Sequence, residues 1–392
     1  MAAPKLRFKE FDKAFSRNTI KELAKIYVGR DLVEDAYSPI KTETHIYPIY
    51  SNSVDNEGLY GYYNFEEFNF DDDALTVVGR GAGLGKAFYR QGGFGTIGRL
   101  LSLTPKDKSF HPKYLSDYIN DKLIIHNESG GIPQLPRSSL ENYEVVLPSY
   151  EEQTKIASFL SNVDEKISQL TQKHALLSQY KQGMMQKLFS QQIRFKADDG
   201  SKFGKWVNKK IIEIADYVDF RGKTPKKVDN GILLVTAKNI RFGYIDYEVS
   251  REYIGSDDFE EVMRRGCAKI GDVLITTEAP LGNVASVDRE DIALAQRVIK
   301  YRGKEGILNN AFLKQKFLSE DFQALIASKA TGGTVQGIKG STLHNLEIYI
   351  PQDIEEQTKI ANFLSSIDQK IEVVAQQIEQ AKQWKKGLLQ QM

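Results

Sequence analysis

The sequence predicts an α+β protein: two mixed α/β domains separated by two long helices, the helices forming an antiparallel coiled coil with pseudo-two-fold symmetry. Three observations carry this. First, the chain repeats itself. Glu151-Glu152-Gln153-Thr154-Lys155-Ile156-Ala157 returns letter for letter as Glu355-Glu356-Gln357-Thr358-Lys359-Ile360-Ala361, and residues 151–188 match 355–392 without a gap at roughly half the positions. The likeness reaches backwards, from Gly130-Gly131, Gln134, Ser138, Leu140, Asn142 and Pro148 to Gly332-Gly333, Gln336, Ser341, Leu343, Asn345 and Pro351. Second, apolar residues follow each copy's start at alternating steps of four and three. Third, 392 residues exceed one ordinary core and suit two domains with connecting elements.

Taken in order, residues 1–29 are a lysine-rich lead-in with Phe8, Phe11 and Phe15 that the repeat does not explain. They are expected as an extra helix on the coiled coil or as a disordered tail. Residues 30–148 form the first domain, with β-like runs at 46–50, 75–78 and 144–147 and a helical stretch at 114–120. Residues 149–190 form the first long helix, and 191–204, polar and containing Asp198-Asp199-Gly200, read as a linker. Residues 205–351 form the second domain, with strands at 232–237, 273–277, 298–301 and 346–350 and one helix at 310–330. Residues 352–392 form the second long helix.

Each long helix opens alike, with Ser149 three residues before Glu152 and Asp353 three before Glu356. That is capping-box spacing, and Pro148 or Pro351 stops the preceding strand. The seam then runs Ile156, Leu160, Val163, Ile167, Leu170 in one copy and Ile360, Leu364, Ile367, Ile371, Val374 in the other. The seam continues through His174, Leu177, Lys181, Met184 and Leu188 in one copy and Ile378, Ala381, Lys385, Leu388 and Met392 in the other, and five such heptads indicate a coiled coil. A helix of this length spans roughly 57 Å and cannot hide its apolar stripe alone. The other copy is the expected partner, with pairing between chains as the alternative. Lys181 and Lys385, at seam positions, are expected to snorkel outward and complement the helix dipole. His174, opposite Ile378 in the repeat, reads as a tolerated polar residue that helps fix register.

Composition bounds the function. No apolar run is long enough to cross a bilayer, the N-terminus lacks the apolar segment of a secretory signal, and the single Cys267, expected as core filler, permits no internal disulfide. A cytoplasmic location is expected. Residues 1–147 carry 18 Lys+Arg against 20 Asp+Glu, and 205–350 carry 22 against 20. Neither domain is basic overall, so nucleic-acid binding would need local patches or partners that share the phosphates.

The candidate patches lie in loops. Gly79-Arg80-Gly81-Ala82-Gly83-Leu84-Gly85-Lys86 resembles a phosphate cradle, but Arg80 stands where a P-loop needs glycine and Ala87 where it needs Ser or Thr. It reads either as an ordinary solvated turn or as a loop admitting an anionic ligand to Arg80, Lys86 and Arg90. Arg221-Gly222-Lys223-Thr224-Pro225-Lys226-Lys227 and Lys238-Asn239-Ile240-Arg241-Phe242-Gly243-Tyr244 are two basic loops with interleaved aromatics. Arg and Lys serve phosphates and guanine edges, and Asn can pair with adenine. Tyr60, Tyr62, Tyr63 and Asn64 are a fainter group of the same kind. The expected DNA-contacting residues are therefore Arg80, Lys86, Arg90, Arg221, Lys223, Lys226, Lys227, Lys238, Asn239 and Arg241. The five scattered histidines offer no zinc spacing, no G-x-S-x-G elbow is present, and Asp71-Asp72-Asp73 reads as a solvated turn. No catalytic residue and no metal site are expected.

The doubled Glu-Glu-Gln-Thr-Lys-Ile-Ala, the Arg-Gly-Lys-Thr-Pro opening of the second domain and its Lys238-Asn239-Ile240 sequel together resemble the DNA-specificity subunits of type I restriction–modification systems. The resemblance covers nearly the whole chain. It implies two target-recognition domains, each reading one half of a bipartite site in double-stranded DNA, with the paired helices setting the gap. It further implies docking of two adenine-N6 methyltransferase subunits and association with restriction subunits. S-adenosylmethionine, ATP and Mg would be bound by those partners and no cofactor by this chain. The alternative is a coiled-coil adaptor that holds two protein-binding domains apart and never touches DNA.

Overall fold

Strand β1 (Ser16–Thr19) opens the first domain well upstream of residue 30, because its backbone pairs antiparallel with the strand at the domain's far end, Ser16 opposite Leu147 and Thr19 opposite Glu144. The computed structural model describes residues 5–69, 73–127, 130–220 and 225–392. The chain divides into two units, Met1–Thr171 with Gln376–Met392, and Gln172–Ala375.

In unit 1, α1 (Ile20–Leu23) is fixed by a full capping box between Thr19 and Glu22. Strands β2 (Ala24–Val28), β3 (Tyr37–Ser38), β4 (Tyr47–Tyr50), β5 (Leu59–Tyr63), β6 (Ala74–Val77), β7 (Ala87–Arg90), β8 (Gly95–Thr96), β9 (Leu101–Pro105) and β10 (Glu144–Leu147) follow, with α2 (Pro112–Lys122) and α3 (Arg137–Glu141) before β10. They form two four-stranded sheets, β2-β9-β6-β7 and β3-β5-β4-β8, and the pair β1-β10. All pairs are antiparallel except β4 with β8. Helix α2 lies on β6 and β7, and Leu115 and Ile119 join Leu75, Val77, Leu101 and Leu103 in one core.

Unit 2 repeats this connectivity. Its elements are β11 (Val207–Lys210), α5 (Ile211–Ile214), β12 (Ala215–Asp219), β13 (Lys227–Val228), β14 (Ile232–Val235), β15 (Tyr253–Ile254), α6 (Phe259–Val262), β16 (Val273–Thr277), β17 (Leu281–Ser286), β18 (Ile292–Leu294), β19 (Val298–Gly303), α7 (Asn310–Leu318), α8 (Glu320–Lys329), α9 (Gly340–His344) and β20 (Glu347–Ile350). The sheets are β12-β19-β16-β17, β13-β15-β14-β18 and β11-β20, with β14·β18 again the parallel pair. The helix expected over 310–330 is two helices, because Ser319 between them is extended and its hydroxyl caps the first by donating to Lys316 O at 2.5 Å. Cys267 is exposed beside the Gly266 turn, not core filler.

The long helices are α4 (Tyr150–Phe189) and α10 (Ile354–Gln391). In unit 1 the start of α4 meets the end of α10: Leu160 and Leu388 share a core, Phe159 and Trp384 meet edge-on at 5.9 Å, and Lys385 Nζ is 2.6 Å from Asp164 Oδ1. In unit 2 the end of α4 meets the start of α10: Leu188 shares a core with Ile360 and Leu364, and Lys181 Nζ is 2.6 Å from Asp368 Oδ1. The contact order is antiparallel in each unit. Ile156, Leu160, Val163, Leu170, Ile360, Leu364, Ile367 and Val374 are buried, and Ile167 and Ile371 half-buried. Lys181 and Lys385 thus do not snorkel outward; each meets a carboxylate across the helix pair. Lys113 of α2 joins Asp164 at 3.0 Å, and Gln315 of α7 donates to Asp368 at 2.8 Å, so each carboxylate also ties its domain to the helices.

The expected capping boxes are not made. Glu152 N does donate to Ser149 Oγ at 3.4 Å, but the Glu152 side chain is turned inward, where Arg7 Nε and Nη2 reach its two oxygens at 2.8 and 2.7 Å. Glu356 receives Arg194 Nε and Nη2 at 2.9 and 2.8 Å and Trp206 Nε1 at 3.2 Å. The adjoining glutamines act alike: Gln153 accepts from His111 N and donates to Pro148 O, and Gln357 accepts from Asn309 N and donates to Pro351 O. These bonds correct one sequence expectation and add to another. Residues 5–15 are neither an extra helix nor a tail, and the linker at 191–204 is tied down: Leu6-Arg7-Phe8-Lys9 and Ile193-Arg194-Phe195-Lys196 are copies of one strap over the start of a long helix. Phe8 meets Phe159 edge-on at 6.0 Å, and Phe195 meets Phe363 at 5.7 Å.

Candidate nucleic-acid interface

In each domain three loop segments converge at one edge of the main sheet. In unit 1 Gly79 O accepts from Leu135 N at 2.9 Å, and Asn52 clamps Gly79 N at 2.8 Å and Gly98 O at 2.5 Å. A Cβ at position 79 would lie 2.9 Å from Arg99 O, so the close approach requires glycine. Arg99 N donates to Gly29 O at 3.1 Å. Three exposed arginines, Arg30, Arg80 and Arg99, therefore leave adjoining backbone. In unit 2 Thr277 O accepts from Ile338 N at 2.9 Å, and Thr277 N donates to Arg297 O at 2.9 Å. Glu278 takes the place of Arg80 and forms an ion pair with Arg297, Nε to Oε1 at 2.6 Å. A cavity of about 330 Å³ opens here between Thr277, Glu278, Arg297, Thr331 and Lys339.

The residues expected to touch DNA divide into three groups. Arg80, Lys86, Lys226 and Lys238 are exposed, Lys227 is exposed and paired with Glu252 at 2.7 Å, and Arg241 is half-buried 3.7 Å from Asp246. Arg221 and Lys223 lie outside the described residues, as do Asp71 and Asp72 of the acidic run. Arg90 and Asn239 are interior. Arg90 is 3 % exposed: Nε donates to Thr76 Oγ1 at 3.0 Å, Nη2 to Glu57 O at 2.5 Å, and the guanidinium lies 3.6 Å from the Tyr50 ring centroid. Burial pushes its pKa below the ordinary arginine value, against the pull of Tyr50 and Glu57. Asn239, fully buried, accepts from Thr236 N and Oγ1 and donates to Asp246 O and Ser250 O, all at 2.9 Å. Every polar atom of its amide is used, so none remains for adenine. Of the fainter tyrosine group, Tyr63 is core and accepts from Val33 N.

The second domain ties its loop to the sheet from a different position in the register. Asn283 on β17 donates through Nδ2 to Ile240 O at 2.7 Å, while its N–H donates to the buried Thr276 Oγ1 at 2.9 Å. Each domain thus pins the loop after its β4 or β14 strand to the main sheet through one polar residue and a buried threonine. In unit 2 the pinned loop carries Phe242 and Tyr244, 56 % and 60 % exposed, beside Lys238 and Arg241. Arg90→Ala or Asn239→Ala leaves buried partners unsatisfied, and each is expected to cost about 2 kcal/mol in urea unfolding. An unchanged unfolding midpoint would sink the interior assignment.

Two copies of one domain, each exposing cations at a loop junction and each followed by a long helix, define a protein built by internal repetition. Over residues 14–179 and 204–383 the chain matches the type I restriction modification DNA specificity domain, and it belongs to that family. It is 26% identical over 340 residues to the type I restriction enzyme MjaVIII specificity subunit of Methanocaldococcus jannaschii, covering 83% of this chain and 79% of that one. It is 30% identical over 165 residues to a putative type I specificity subunit of Mycoplasma pneumoniae, covering 42% of this chain and 43% of that one. Its fold is similar to the S subunit of a type I restriction-modification system from M. genitalium, with a TM-score of 0.67 at 15% identity, covering 100% of this chain and 98% of that one. A chain of a type I R-M system solved for its complex assembly and conformational transition gives 0.54 at 15% identity over 97% of each chain. DNA sequence recognition within a type I restriction–modification system is the work of this family, and its specificity subunits are not themselves catalytic. Among the described residues no helix is long and apolar enough to cross a membrane.

Proposed function

We propose that each domain reads one half of a bipartite target in double-stranded DNA, and that the two long helices pair along their length as an antiparallel coiled coil that sets the gap. The single observation that carries this is the reciprocal pair of ion pairs. Asp164 with Lys385 and Asp368 with Lys181 are the same two repeat positions with roles exchanged, each carboxylate and each lysine displaced by the 204-residue repeat. That exchange is what a two-fold axis across an antiparallel helix pair produces. Half-sites one helical turn apart are about 34 Å distant, within the length of such a pair. The helices would also dock two adenine-N6 methyltransferase subunits, which bring S-adenosylmethionine and flip the target adenine into their own pocket. Restriction subunits with ATP and Mg would join that core. The assembly named for one structural neighbour supports partners of this kind. A near-neutral chain suits this role if the methyltransferases close around the duplex and share phosphate neutralisation. The work would be cytoplasmic.

The test is co-expression with a methyltransferase subunit from the same operon, followed by sequencing of host DNA for N6-methyladenine. Methylation at one bipartite motif is expected. A stable complex that methylates a single undivided motif would overturn the two-half reading, and a complex that never binds duplex DNA would favour a coiled-coil adaptor.

A further inference from the structure

Resting on that reading, we propose that Arg99 and Arg297 are a matched pair of DNA-phosphate contacts, one in each domain. Both are non-glycine residues held in the left-handed region, at φ 68° and 72°. Both stand in the turn that leads from the parallel-paired edge strand of one four-stranded sheet into an inner strand of the other, between β8 and β9 or β18 and β19. Both are exposed. An arginine gains nothing from this conformation that glycine would not give at lower cost, so an exposed arginine kept there twice calls for a use of its side chain.

The surroundings say what that use is. The backbone on each side is fixed: Arg99 N to Gly29 O, Gly29 N to Leu100 O at 2.7 Å, and Thr277 N to Arg297 O. The side chain therefore starts from a rigid base at the loop junction, against the Gly79 backbone in one domain and lining a cavity with Lys339 in the other. Among the described residues Arg99 has no ion-pair partner, and Arg297 engages Glu278 through Nε. The two domains differ at nearly every neighbouring loop position, Arg80 against Glu278 and Gly79 against Thr277. A contact that persists while its neighbours change suits the sequence-independent part of the duplex, its phosphates, whereas base reading belongs to the positions that vary.

The experiment uses the full chain assembled with its methyltransferase subunits, on a duplex carrying the methylated motif and on a scrambled one. Arg99→Gly and Arg297→Gly keep the left-handed turn and remove the guanidinium. Each is expected to weaken binding to both duplexes roughly tenfold and to lower the log–log salt slope by about one. Melting temperature should hold or rise, since glycine suits the turn. Arg99→Lys and Arg297→Lys, which keep the charge, should retain the slope. Wild-type affinity and slope in the glycine variants would overturn the proposal. So would binding lost together with a drop of several degrees in melting temperature, which would make the arginines structural. Loss confined to the cognate duplex, with the slope intact, would overturn the phosphate assignment in favour of base reading. A wild-type complex that binds neither duplex would overturn the function proposed above instead.

Discussion

Leu364→Asp is expected to abolish cooperative folding of unit 2. Leu364 is 0 % exposed and shares a core with Met185, Leu188 and Phe189 of α4 and with Phe312 and Ile348 of the second domain. A carboxylate there would sit among apolar side chains, and an unpaired buried charge costs several kcal/mol, comparable with the whole stability of an ordinary domain. Leu364→Ala removes only packing and should cost about 2–5 kcal/mol. Leu160→Asp should do to unit 1 what Leu364→Asp does to unit 2, since Leu160 is equally buried among Ile156, Ala157, Leu140 and Leu388. Ile371→Asp should be milder, because Ile371 is half-buried and a carboxylate there can reach water. Urea unfolding followed by near-ultraviolet circular dichroism orders these variants. A wild-type midpoint for Leu364→Asp would mean the helix face is not core at all.

The seam around Leu364 was legible because a long helix writes itself locally: a 3.5-residue period and a copy of itself elsewhere in the chain. The sheets were not, because their strands are short and pair over long separations. Strand β2 meets β9 across most of the first domain, and β8 is two residues long. Nothing in such a stretch fixes its partner. The candidate interface was half legible for a related reason. Charge marks Arg80 and Lys238, which are exposed, but charge does not tell a loop from an interior. Arg90 ends a strand beside a buried threonine, and Asn239 closes a turn with its own amide. A left-handed φ leaves no mark on residue type, so the sequence does not set Arg99 and Arg297 apart. The strap was in plain sight as Arg-Phe-Lys at 7–9 and 194–196, yet these copies are 187 residues apart and so fall outside the 204-residue repeat. The second domain is longer than the first, and the strap precedes each domain while the helix follows it.

Glu356→Ala is expected to destabilise the protein where Glu355→Ala does not, although the two residues are neighbours in the same repeated motif. Glu355 is about half exposed, with Lys359 3.0 Å away one helical turn on, a surface pair that contributes little. Glu356 is fully buried and accepts three hydrogen bonds, two from Arg194 and one from Trp206. Removing it leaves a guanidinium and an indole N–H facing a dry pocket. Breaking a buried pair costs about 3–5 kcal/mol; Arg194 is 28 % exposed and can partly rehydrate, so about 2–3 kcal/mol is expected. The hydrogen bonds to the carboxylate also hold the Arg194 guanidinium above its ordinary pKa. The double change Glu356→Leu with Arg194→Met should cost less than Glu356→Ala alone, because it removes both charges together. What it still costs measures the stranded Trp206 N–H. If the double variant is as damaged as the sum of its parts, the two residues act independently and the strap is not held by this pair. The same contrast is expected between Glu151 and Glu152, where Arg7 plays the part of Arg194. A motif repeated letter for letter would then owe its second glutamate to a strap that lies outside the repeat.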